Sequence, residues 1–106
     1  MADTAKRLFG PAVLSAAAAT KYTVPGATTT VIRHIHVIVT DGAAHTFTMS
    51  IGADAVGTRL YSAQPLSPDL PFDWNGFIVA AAAEIIQAYA DAASGVTIEV
   101  DGVEIT

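Results

Sequence analysis

The chain has 106 residues, one domain's worth, enough for a single packed core and little else. It is 52% hydrophobic, 14% charged and free of cysteine, which excludes a disulfide framework or a thiolate metal site; the longest strongly apolar run, Phe77 to Ala83, is seven residues, too short for a spanning helix of about 20. The net charge is −5, with all five Lys and Arg before position 60 and seven of the ten acids after it, which argues against a nucleic-acid partner, whose phosphates need clustered cations.

Residues 1–19 read as an N-terminal arm. Met1-Ala2-Asp3 lacks the charged n-region and apolar stretch of a secretory signal, so none is expected. Lys6-Arg7-Leu8-Phe9 precedes the breakers Gly10-Pro11, and the alanine tract after Ser15 has no periodicity. A short apolar segment between breakers suits an added edge strand or a docked tail. A terminus of this kind frays unless it is held, so the arm is expected to be anchored.

Residues 20–106 read as a β domain. Lys21 to Val24 ends at Pro25-Gly26, a turn pair in which Pro fixes φ and Gly tolerates positive φ. In Thr28 to Thr40, Val31, Ile35, Val37 and Val39 are expected to face the core, with Arg33 interrupting. Ile32, His34, His36, Ile38 and Thr40 take the other face, and a strand apolar on both sides suits an inner or interface position. Asp41-Gly42 is a hairpin signal. His45 to Ile51 then alternates cleanly, His45, Phe47, Met49 and Ile51 against Thr46, Thr48 and Ser50.

Arg59-Leu60-Tyr61 suggests a short strand, and Pro65, Pro68 and Pro71 restrict the next stretch of chain to an edge or a looped crossing. Phe72-Asp73-Trp74 and Phe77-Ile78-Val79 flank Asn75-Gly76, a turn or bulge signal. Residues 80–93 are helical by propensity. They also read as a strand, with Ile85, Gln87 and Tyr89 opposite Ile86, Ala88 and Ala90, and the neighbouring strands favour this second reading. Val96 to Ile105 alternates as far as Asp101-Gly102 and resumes out of phase, which predicts a bulge at Gly102. Seven to nine short strands imply an all-β fold, a single antiparallel sandwich or jelly roll.

The apolar content is small and β-branched, with 21 Ala, 10 Val and 9 Ile. A domain this size cannot hide half its residues, so apolar patches are expected to meet partner subunits. The segregated charge serves solubility, or else marks a polar protomer whose ends meet neighbours of opposite sign.

One cluster draws attention as a metal candidate. His34 and His36 share a strand face and, if Asp41-Gly42 closes a hairpin, His45 would lie near them and complete three ligands for a metal-dependent enzyme. Against this, the alternation groups His45 with Phe47 and Met49, and half-buried strand or interface histidines are the commoner case, so no metal and no cofactor is expected. Ser50, His45 and Asp54 can be picked as a triad, but no Gly-x-Ser-x-Gly elbow and no glycine-rich phosphate loop accompanies them. Trp74, with Tyr61, Asn75 and nearby acids, offers a sugar-stacking platform; core or interface filling is the usual role of a Trp beside a turn.

Five segments in order carry a family resemblance: Lys6 to Leu8, Tyr22 to Pro25, Val31 to Val37, Trp74 to Phe77 and Gly102 to Ile105. With them the chain resembles, over nearly its whole length, the small β-sandwich virion proteins of tailed bacteriophages. The resemblance implies a non-enzymatic minor structural component of the head or tail, made in the bacterial cytoplasm and residing in the virion. It also implies assembly in copies, as a trimer or ring, on major capsid or tail proteins. The arm (Lys6, Arg7, Leu8, Phe9) together with Trp74 and Phe77 would then form the interface. A glycan-binding attachment module around Trp74 is the alternative. Two departures stand out. Similar chains read Val-Pro-Ala-Gly where this one has Val24-Pro25-Gly26-Ala27, and Ala-Gly-Asp where this one has Ala82-Ala83-Glu84.

Overall fold

The alternating pattern resolves into eight strands in a computed structural model describing residues 2–106: β1 (Asp3–Val13), β2 (Ala19–Thr23), β3 (Thr29–Val39), β4 (His45–Ile51), β5 (Arg59–Leu66), β6 (Phe72–Ala80), β7 (Ile85–Ala90) and β8 (Val96–Ile105). A single 3-10 turn, Val56–Thr58, precedes β5. The strands form two antiparallel sheets, ordered β1-β8-β3-β6 and β2-β7-β4-β5. Only β4 and β5 are joined within one sheet; every other connection crosses between sheets, a jelly-roll-like path. No helix among the described residues is long and apolar enough to cross a membrane.

The inner faces interdigitate Ile32, Ile35 and Val37 of β3 and Ile98 and Val100 of β8 with Phe47 and Met49 of β4 and Ile86 and Ala88 of β7. Phe47 packs against Tyr61 in a tilted arrangement and against Phe72 edge-to-face, at ring-centroid distances of 5.4 and 5.3 Å. The segment read as an arm supplies β1, which runs antiparallel to β8 of its own chain, and Leu8 and Leu14 join the common core. Residues 85–90 are strand, so the alternation of Ile86, Ala88 and Ala90 overrides the helix propensity of the alanines. β5, carrying Pro65, lies at the edge of its sheet, where a missing N–H costs least.

Three expectations are corrected. Asp41-Gly42 closes no hairpin: it carries the chain from β3 in one sheet to β4 in the other. Its turn chemistry, with the Asp41 carboxylate accepting from the Ala43 N–H at 3.1 Å and Gly42 at φ 78°, reverses the chain locally without setting a partner. Second, the bulge expected at Gly102 has its extra residue on β3. Ile32 pairs with Gly102 and His34 with Asp101, leaving Arg33 out of register. β6 bulges against β3 at the same level, between Ile78 and Asn75, and Arg33 Nε donates to the Gly76 carbonyl at 2.8 Å. β8 therefore keeps its phase, and Gly102 is buried where a Cβ would strike the Val31 carbonyl. Third, the slip at Arg33 puts Ile32 into the core and turns Val31 outward.

Two alanines take left-handed backbone in turns, where a Cβ is strained: Ala27 has φ 55° and Ala83 φ 69°.

Candidate functional site

The outer face of the first sheet carries a polar lattice at one end. His34 lies opposite Asp101 of β8 and Asn75 of β6, and His36 opposite Glu99 and Asp73. Residues i and i+2 of β3 share this face, so the two imidazoles stand side by side, ring centroids 6.1 Å apart. Asp73 Oδ1 is shared between them, 2.9 Å from His34 Nε2 and 2.6 Å from His36 Nδ1. His34 Nδ1 meets Asp101 Oδ2 at 3.4 Å. With a carboxylate at each nitrogen, His34 satisfies both only as the imidazolium. The hydrogen bond to Asp73, reinforced by Asp101, accordingly outweighs partial desolvation and raises its pKa. Hydrogen bonds from His36 and then His34 lower that of Asp73.

His45 is elsewhere. The hairpin that would have brought it to His34 and His36 does not form, and it sits in the second sheet, opposite Leu66. Its nearly buried ring is clamped between Asp41 and Asp91, Nε2 at 2.7 Å from Asp41 Oδ2 and Nδ1 at 2.7 Å from Asp91 Oδ1. Asp41 and then Asp91 raise the His45 pKa. The imidazolium lowers that of Asp41; at Asp91, desolvation is the largest single effect and pushes upward, but the His45 hydrogen bond, backbone hydrogen bonds and the imidazolium charge together outweigh it and lower the pKa. Gly95 packs against this clamp so closely that a Cβ would overlap His45 Nε2 and Asp41 Oδ2.

Other polar side chains singled out in the sequence are engaged separately. Ser50 donates to the Gly52 carbonyl at 3.0 Å and Asp54 holds Arg59 through Nε at 2.9 Å, so Ser50, His45 and Asp54 serve three different contacts. Tyr22 of β2 bonds Thr30 at 2.9 Å and also donates to Glu104, and burial, with this acidic neighbour, pushes its hydroxyl up to about 12. The charge segregation along the sequence is cancelled by the fold: β1 lies against β8, with Lys6 on Glu104 and Arg7 on Glu99, both at 3.4 Å.

Among the residues expected at an interface, Leu8 is core and Phe9 packs against it. Trp74 faces inward with Phe72, packs on the core and lies across Gly76, which leaves only part of its ring at the surface. Phe77 is 73% exposed. With Val79, 56% exposed, it ends an outward apolar row, Ala5-Val103-Val31-Val79, that crosses all four strands of the first sheet. A shallow depression of 350 Å³, lined by His36, Ile38, Val39 and the Pro68-Asp69-Leu70-Pro71 loop, borders the polar end of the same face.

Asp73 and Asp101 are the site residues that sequence reasoning missed. Their strands pair with β3 only through crossovers, so nothing local signals the contact. The alternation that sends Phe72 and Trp74 inward does place Asp73 outward.

No protein-family profile matches the chain, and no curated protein does either. Among solved structures, it is similar to a pentameric capsid protein isolated from metagenomic phage sequences, with a TM-score of 0.41 and 17% identity. The match covers 92% of this chain and 59% of that protein.

Proposed function

We propose that the protein is a non-enzymatic structural component of a tailed-phage particle, assembling in several copies on the capsid surface or tail. One observation carries this reading: the apolar row across the first sheet runs out onto the edge strand β6, where Phe77 and Val79 stand exposed. Large apolar side chains beside an open sheet edge invite a second protein surface. The chain is poor in charge for its size, so little of its surface is held in water by ionised groups. The order of segments shared with small phage virion proteins points the same way. The glycan-binding alternative has weaker footing, because Trp74 packs inward.

The test is the oligomeric state and particle binding of wild type against a Phe77→Asp, Val79→Asp double variant. Both side chains point to solvent, so the variant keeps its fold by circular dichroism. Wild type is expected to elute as an oligomer by size exclusion with light scattering and to decorate particles, and the variant to be monomeric and unbound. A wild type that stays monomeric and ignores particles refutes the reading. Point variants are the right tool, since deleting residues 1–12 removes most of a strand that the chain's own sheet uses.

A further inference from the structure

We propose that His34, His36 and Asp73 form a binding site for a divalent transition cation of the zinc type. One ring nitrogen of each of His34 and His36 and a carboxylate oxygen of Asp73 lie within 4.8 Å of one another, and the nitrogens that contact Asp73 Oδ1 are His34 Nε2 and His36 Nδ1. Tetrahedral zinc with bonds of 2.0–2.2 Å holds its ligand atoms about 3.4 Å apart. Side-chain rotations that widen the two short contacts on Asp73 Oδ1 therefore create the coordination geometry without moving a strand. The three residues stand on neighbouring strands, held by the ladder that pairs His36 with Asp73. A site built on strands is positioned more firmly than one on loops.

A second observation separates this trio from a chance meeting of polar side chains. The far nitrogen of His34 is held by Asp101. A ligating histidine typically donates its other N–H to a carboxylate, which fixes the tautomer and strengthens the ligand. Asp101 stands where that partner belongs and leaves Nε2 for the metal. The nearby cations are engaged elsewhere, Arg7 by Glu99 and Arg33 by the Gly76 carbonyl. Two nitrogens and one oxygen suit Zn²⁺, Ni²⁺ or Cu²⁺ rather than Mg²⁺ or Ca²⁺, which take more oxygen ligands. The side chains are 30%, 36% and 40% exposed, so the remaining coordination positions face solvent. Binding displaces the protons shared with Asp73: the one on His34 Nε2 leaves to solvent, and the one on His36 Nδ1 leaves that nitrogen, to solvent or to Nε2, as the metal bonds form; His34 Nδ1 keeps its proton, donated to Asp101.

Isothermal titration of the intact protein with ZnCl2, in buffer free of chelators, is expected to show one ion per chain, with MgCl2 giving none. His36→Gln and Asp73→Asn, both at the surface, are each expected to weaken zinc binding about tenfold or more. In the wild type, zinc is expected to shift the imidazole NMR signals of His34 and His36 and leave those of His45 in place, a readout that needs no variant. The proposal is overturned by the absence of stoichiometric zinc binding, by binding undiminished in both variants, or by zinc perturbing His45 instead.

Discussion

His34 and His45 each place a carboxylate at both ring nitrogens, yet one ring is 30% exposed on a sheet face and the other 8% exposed beneath a crossover. The partners of His34 come from β6 and β8, strands already fixed by their own ladders, so its ion pairs add little to the fold and its nitrogens are free to change partners. Those of His45 lie in the turns after β3 and β7, which the clamp ties to β4. The same chemistry is thus decoration in one place and a fastening in the other. Burial and the rigidity of the partner backbone decide which.

The largest break in this contrast comes from Gly95, packed against the His45 clamp with no room for a methyl group. Gly95→Ala is expected to cost about 1–3 kcal/mol by overpacking, read as a fall of about 4 °C in Tm per kcal/mol for a domain of this size. An unchanged Tm means the clamp yields and is no fastening. Ala83→Gly is the counterpart of opposite sign. It relieves left-handed backbone far from either imidazole and is expected to add about 1 kcal/mol without altering how stability depends on pH.

That dependence has a definite sign. His45 and His34 are raised above 6.5, so their contribution is complete below pH 6.5 and is lost as pH rises through the elevated values. Asp41, Asp73 and Asp91 are lowered from 3.8, so theirs is complete above about pH 4 and is lost on acidification. Stability is expected to peak between these limits. Histidine NMR titrations in low and high salt sharpen the comparison: salt screens the exposed His34 pairs more than the enclosed His45 pairs, so the His34 midpoint falls further. Equal salt sensitivity removes the distinction.

Much of the fold is readable from residue order. Period-two alternation locates β3, β4 and β8, and the flanking strands settle residues 85–90. The phase slip at Gly102 signals a bulge, but the extra residue is Arg33 on the paired strand, because Gly102 packs under the Val31 carbonyl and stays in phase. The shared face of His34 and His36 follows from spacing alone. Their third partner does not, because β3 meets β6 and β8 through connections that leave the sheet and return. A hairpin signal at Asp41-Gly42 therefore points to the wrong histidine. Left-handed backbone at Ala27 and Ala83 carries no glycine to announce it, so sequence alone does not reveal the dihedral.

The smallest effect is the most discriminating. Asp73→Asn removes the charge of the acceptor shared between His34 and His36 but leaves β6 paired and the core untouched. Exposed ion pairs contribute little to stability, so the variant is expected to stay within about 0.5 kcal/mol of wild type by chemical denaturation. The His34 midpoint should nevertheless drop toward 6.5, because Asp73 is the main group holding its proton, while that of His45 stays where it was. A Tm loss as large as that of Gly95→Ala would make the outer lattice a fastening too. A small loss with a moved His34 midpoint leaves two sites of like composition with unlike roles, one closing the sandwich and one open to whatever arrives from solvent.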